Sequence, residues 1–285
     1  MTARTLCTLL ALGIVPGLAE VSSAQSGAVE KLALDSGLHR AAHLGDVVSL
    51  QRELDAGTDP NAINRFGVTS LSLACTGGHV DAINVLLTAG ADPNQASAAG
   101  ETPLMVAART GVVDSVVALL EHGADPVARE SWMGQTALMW AAAERHADVI
   151  GPLVDAGAEV NGRTNSGFTP LMFATRLGHI ETVDALLEAG ADPNVRTNRD
   201  LWYVRYNVCC SQSVDGATPF WRAAYALDVE AMRLLVRYGA DWSIPTRART
   251  LRLGNEYSHL QGLDDPSGLP PVPEGGPGQF PIHAA

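Results

Sequence analysis

The stretch Gly167-Phe168-Thr169-Pro170-Leu171-Met172-Phe173-Ala174 decides the fold, together with Gly178-His179 and the run from Leu186 to Gly190-Ala191-Asp192-Pro193-Asn194. It is one copy of a repeat. Upstream stand Gly134-Gln135-Thr136-Ala137-Leu138, Gly100-Glu101-Thr102-Pro103-Leu104 and Gly67-Val68-Thr69-Ser70-Leu71; downstream stands Gly216-Ala217-Thr218-Pro219-Phe220. The threonines of these five strings are 33, 34, 33 and 49 residues apart. A Gly-Ala-Asp or Gly-Ala-Glu string keeps the same register at Gly90, Gly123, Gly157, Gly190 and Gly239, and Ser36 with Gly57-Thr58-Asp59-Pro60-Asn61 completes a first copy. A period of this size marks a stacked repeat, in which one unit cannot bury its own apolar face and relies on its neighbours.

Each copy reads as two short helices. The Thr supplies an N-cap, and Pro is tolerated in the first turn, where its missing N–H would have no helical partner. In the third copy the first helix is expected over 104–109, and Gly111 reverses the chain with φ > 0. The second helix carries apolar residues at helical spacing, as in Val113, Val116, Val117 and Leu120. Gly123 and its equivalents close it as left-handed caps, and the Ala-Asp-Pro-Asn stretch leads into an exposed hairpin.

This pattern closely resembles the ankyrin repeat family, whose signature G-x-T-P-L-H-x-A-A, G-H and L-L-x-x-G-A-D-x-N is matched from Gly167 to Asn194. The resemblance covers six copies over residues 36–242. It implies an all-α solenoid of stacked helix-turn-helix units with projecting hairpins and a concave face. It also implies a non-catalytic module that holds a protein partner through hairpin tips and the first-helix face.

Departures from the signature carry further expectations. Met105, Met139 and Met172 replace the motif histidine, either as gap-filling core or as a soft binding surface. Arg145 and Leu227 stand where the inter-helix glycine belongs, so these turns must adopt φ > 0 or another geometry. Pro152 inside a second helix predicts a distorted helix. An insertion at about 198–214 brings Trp202, Tyr203, Arg205, Tyr206 and the pair Cys209-Cys210, and a Pro/Gly-rich excursion occupies 243–279. Phe280-Pro281-Ile282-His283-Ala284-Ala285 then reads as the start of a seventh copy, hence as a fragment of a longer chain. Residues after about Pro245 are expected to be loosely held.

Composition narrows the function. Aromatics are only 5%, so the core must be built from Ala, Leu and Val. The net charge of −12 argues against binding a phosphate backbone. Four cysteines in 285 residues do not make a disulfide framework; Cys209 and Cys210 are either free thiols or a strained vicinal pair. Residues 1–24 read as a secretory signal, with Arg4 before an apolar run from Leu6 to Ala19 and Ser22-Ser23-Ala24 as a cleavage site. That run is shorter than the roughly 20 residues a spanning helix needs, so no stable membrane span is expected once the signal is removed. An exported monomer follows, periplasmic or secreted, with residues 25–35 as a linker.

No phosphate loop, nucleophile elbow or Cys-x-x-Cys is present, and neither a cofactor nor a metal is expected. His39 and His43 have zinc-ligand spacing but lack the intervening Glu of a metallohydrolase. His79, His146 and His179 share one repeat position and read as scaffold. Two functions stay open: a protein-binding module, or the recognition part of a larger enzyme or exported effector whose catalytic domain lies beyond Ala285. The aromatics concentrate in copies four to six. A partner-binding face is expected from Trp132, Met133, Trp140, Phe168, Trp202, Tyr203, Arg205 and Tyr206, unless Trp140, Phe173 and Trp221 are inter-repeat core.

Overall fold

The computed structural model describes residues 36–176, 178–197 and 216–245. These residues form six helix pairs. The first helices are α1 (Gly37–Leu44), α3 (Ser70–Gly77), α5 (Pro103–Thr110), α7 (Ala137–Ala143), α9 (Pro170–Arg176) and α11 (Pro219–Tyr225). The second helices are α2 (Val47–Asp55), α4 (Val80–Thr88), α6 (Val113–Glu121), α8 (Ala147–Asp155), α10 (Ile180–Glu188) and α12 (Val229–Arg237). Each first helix packs on the next first helix and each second helix on the next second helix, so the stack has two helical layers. Signal, linker, the first insertion, the second insertion beyond Pro245, Cys209-Cys210 and the 280–285 motif lie outside the described residues.

The expected start signals operate in four of the six copies; Thr136 has the extended backbone but its hydroxyl caps no N–H, and Thr169 Oγ1 is buried with no hydrogen-bond partner among the described residues. Ser36, Thr69, Thr102 and Thr218 have extended backbones, and their hydroxyl oxygens accept the N–H of His39, Ser72, Met105 and Trp221. Helix α5 is one residue longer at each end than the expected 104–109, because Pro103 and Thr110 are both helical. The core is a ladder of Leu and Ala with Met105, Met139 and Met172 fully inside it, which removes the methionines from any binding surface. Phe173 and Trp221 are also buried, as the core reading required. Cys75 fills an alanine position, and burial pushes its thiol up to about 12.

Arg145 and Leu227 do take the left-handed conformation, at φ 73° and 56°, so the fold imposes the turn without glycine. Pro152 does not break its helix. Helix α8 runs unbroken through it and is nine residues long, like α6 and α10. The residue before a proline resists the helical region partly because its Cβ meets the ring, and here that residue is Gly151. Asp148, whose carbonyl loses its donor, is exposed to water.

Side chains then join copy to copy at fixed positions. His79 Nε2–H donates to His43 O and His146 Nε2–H to Arg109 O, each at 3.0 Å, so these histidines hold the preceding first helix rather than cap their own. The preceding copy's inter-helix turn has Arg145 in place of glycine, and His179 donates from Nδ1 to Ala142 O in that copy at 3.4 Å. Burial holds its imidazole below the usual pKa, the Ala142 bond opposes this, and the Arg145 charge reinforces it. His39 is equally structural: Nδ1 meets Ser36 Oγ at 2.6 Å and Nε2 meets Val68 O at 3.3 Å.

A second series runs along the loops. Asn61 donates to Gly90 O and accepts from Asp92 N–H; Asn94, Asn161 and Asn194 repeat this pair of bonds to Gly123 and Asp125, Gly190 and Asp192, and Gly239 and Asp241. Val127 occupies the third copy's Asn position and is 41% exposed, so this rung is missing. Val127→Asn should restore bonds to Gly157 O and Glu159 N–H and raise unfolding stability by about 1 kcal/mol. A urea titration that finds no shift in midpoint would count against the rung.

Candidate protein-binding face

The hairpin entering the fourth copy is one residue longer than its neighbours, and a single carboxylate organises it. Glu130 is buried, and its oxygens accept the N–H of Trp132 at 2.6 Å, Met133 at 2.7 Å and Gln135 at 2.9 Å. The equivalent Asn64 spans a shorter loop, accepting from Phe66 and Val68. Glu has one more methylene than Asn, which suits the longer loop. Backbone bonds fix the tip on both sides: Ser131 N–H donates to Ala99 O at 3.0 Å and Asn165 N–H to Met133 O at 2.8 Å. Trp132 is therefore held in place while remaining 66% exposed, and Met133 is half-buried beside it.

The other expected contact residues separate. Trp140 is half-buried on α7, with the Arg109 guanidinium 5.4 Å from its ring centroid and Glu101 3.5 Å from Arg109. Trp140 Nε1 is buried and has no hydrogen-bond partner among the described residues. Phe168 must be corrected: it is only 4% exposed and belongs to the core. Its ring lies 5.9 Å from Phe173, and the Arg222 guanidinium covers it at 4.6 Å. Trp202, Tyr203, Arg205 and Tyr206 lie outside the described residues. These contacts bring hairpin and first-helix residues together, since Glu101 and Phe168 leave hairpins while Arg109 and Arg222 sit on first helices.

Two surface features escaped the sequence reading. Phe66, at an ordinary-looking hairpin, is 48% exposed with Arg65 5.5 Å from its ring. Arg129, Arg163 and Arg196 occupy one repeat position, and each guanidinium reaches the next copy's backbone. Arg129 donates to Arg163 O at 2.6 Å, Arg163 to Arg196 O at 3.1 Å, and Arg196 to Pro245 O. Their spacing of 34 and 33 residues was the available signal.

Among the described residues no group of three His, Cys, Asp or Glu side chains is placed to hold a metal ion, and no helix is long and apolar enough to cross a membrane. The arrangement is one of rigid exposed side chains on a repeating frame, the class of protein that works by presenting a surface. A family model described as ankyrin repeats (3 copies) matches residues 38–130 and 127–197. The chain belongs to the ankyrin repeat family. It is similar to the solved structure described as the human ASB11 ankyrin repeat domain, at 28% identity and a TM-score of 0.63, over 74% of this chain and 87% of that one. No curated protein matches it. Ankyrin repeats are in general protein-interaction modules and typically non-catalytic.

Proposed function

We propose that this protein binds a protein partner through its hairpin tips and the adjoining first-helix face, with Trp132 as the central contact and Met133 and Trp140 beside it. The observation that carries this is Trp132 itself, two-thirds exposed on a tip that Glu130 and two neighbouring hairpins hold rigid. An ordered, exposed indole presents large apolar area at little entropic cost on binding. Trp is also among the residues that dominate interface energetics. Trp132→Ala should change unfolding stability by less than about 0.5 kcal/mol, because the ring has little core to lose. It should weaken capture of a partner recovered by cross-linking about 30-fold or more. Unchanged capture, or a large loss of stability, would remove Trp132 from the face.

The setting belongs to the same reading. Arg4 and the apolar run before Ser22-Ser23-Ala24 support export with cleavage after Ala24. Intact-mass measurement of the chain recovered from its native host should give a species beginning at Gln25; retention of Met1 or Thr2 would refute export.

A further inference from the structure

The two ends of the stack are finished differently. Copy one carries Glu53, half-buried, at the position of Leu86, Leu119, Leu153, Leu186 and Leu235, each 0% exposed. A carboxylate suits a copy that nothing precedes, because burying it unpaired would be costly. Copy six has no such change. Its α12 keeps Val229 and Val236, 53% and 48% exposed, at positions that are buried or half-buried in the five preceding copies. Leu227 is 66% exposed at the turn position from which a Cβ on Gly45 or Gly178 would meet His79 or Asp228 of the following copy. The first-helix side differs. Trp221 stands at the position of His39, which meets Val68 O of the following copy, and of Met105, Met139 and Met172. It is nevertheless only 1% exposed, stacked on Tyr225, and its buried Nε1 has no hydrogen-bond partner among the described residues. Helix α11 is thus covered as though a first helix followed it, whereas α12 is open as though no second helix did.

We propose that residues 278–285 of this chain supply that first helix, docked on α11. Gly278-Gln279-Phe280-Pro281-Ile282-His283-Ala284-Ala285 keeps the register of Gly216-Ala217-Thr218-Pro219-Phe220, which puts Ile282 at the position of Leu138, Leu171 and Phe220, all buried. Against the sequence expectation for everything beyond Pro245, these residues are then held. An inserted loop is no obstacle to stacking. The two ends of the first insertion meet at Thr197, whose N–H donates to Ala217 O and whose carbonyl accepts the Gly216 N–H, each at 3.1 Å. Helix α11 still packs on α9 across it. Thr169 to Thr218 is 49 residues and Thr218 to Phe280 is 62, and closure entropy grows only with the logarithm of loop length. So short a segment is not helical by itself in water, so its order comes from packing on α11.

Amide exchange on the full-length protein tests this directly. In Ile282→Asp the α11 amides should exchange about tenfold faster, because a carboxylate then stands where the equivalent side chains are buried. Helix α3, four copies away, should be unchanged. Ile282→Leu installs the residue of copies one to five and should keep α11 exchange within about threefold of the parent. Equal exchange at α11 in Ile282→Asp and the parent, or an α11 unprotected in the parent itself, would overturn the proposal. Acceleration spread evenly from α3 to α11 would also overturn it, by placing Ile282 elsewhere in the stack. The rival occupant is a second copy of the chain. A dimer in sedimentation, with α11 exchange that quickens on dilution and not in Ile282→Asp, would put that copy on α11 and overturn the proposal too.

Discussion

Gly111→Ala should lower the stability of the stack by about 2–4 kcal/mol, more than any other single methyl added to an inter-helix turn. Gly111 has φ 76°, where a side chain costs roughly 1–2 kcal/mol. The added Cβ would also overlap the His146 imidazole, which sits against this glycine. The ring must leave, and its 3.0 Å bond to Arg109 O goes with it, for about 1 kcal/mol more. The double variant Gly111→Ala/His146→Ala isolates the overlap, because only the backbone penalty then remains. If the two losses simply add, the glycine and the histidine do not act as a unit. The converse substitution, Arg145→Gly, should stabilise by about 1 kcal/mol, since Arg145 holds φ 73° with a side chain attached.

Glu130→Ala should be nearly as damaging, at about 2–4 kcal/mol, through a different mechanism. Three N–H groups lose one carboxylate, and hydrogen bonds to a charged acceptor are each worth about 1.5–3 kcal/mol before the loop relaxes. Amide exchange is the decisive measurement: Trp132, Met133 and Gln135 should lose protection together, while the helices on either side keep theirs. Glu130→Gln should be milder. Met133 and Gln135 both bond Oε1, which an amide oxygen can replace, whereas the bond from Trp132 N–H to Oε2 is lost. Undiminished protection at Trp132 in the Ala variant would show that the bonds to the flanking hairpins suffice.

How much of this was legible in the sequence depended on whether a residue's role is periodic. Thr69, Thr102 and Thr218, the left-handed turns at Arg145 and Leu227, and the scaffold histidines all follow from position within the repeat, and the structure places them accordingly. Phe168 was misread because a hairpin has no helical period to show which residue turns inward. Its burial depends on Phe173 and on Arg222 of the next copy, a contact made 54 residues along the chain. Pro152 sits inside a continuous helix because Gly151 before it has no Cβ to meet the ring, a detail of neighbours rather than of the period. The arginine file was visible as a spacing, which a net charge of −12 does not reveal.

The copy-to-copy bonds also make the solenoid a beam with unlike joints. Asn61 joins the first two copies together with His39 and His79, Asn94 joins the second and third, and where Val127 interrupts the asparagine row Arg129 takes over beside His146. Beyond it both rows are present, Asn161 with Arg163 and Asn194 with Arg196. The hairpin of Trp132 stands at the joint where the asparagine pair gives way to Arg129 and His146, so a load passed along the stack changes carriers there, from side-chain amides to a guanidinium and an imidazole.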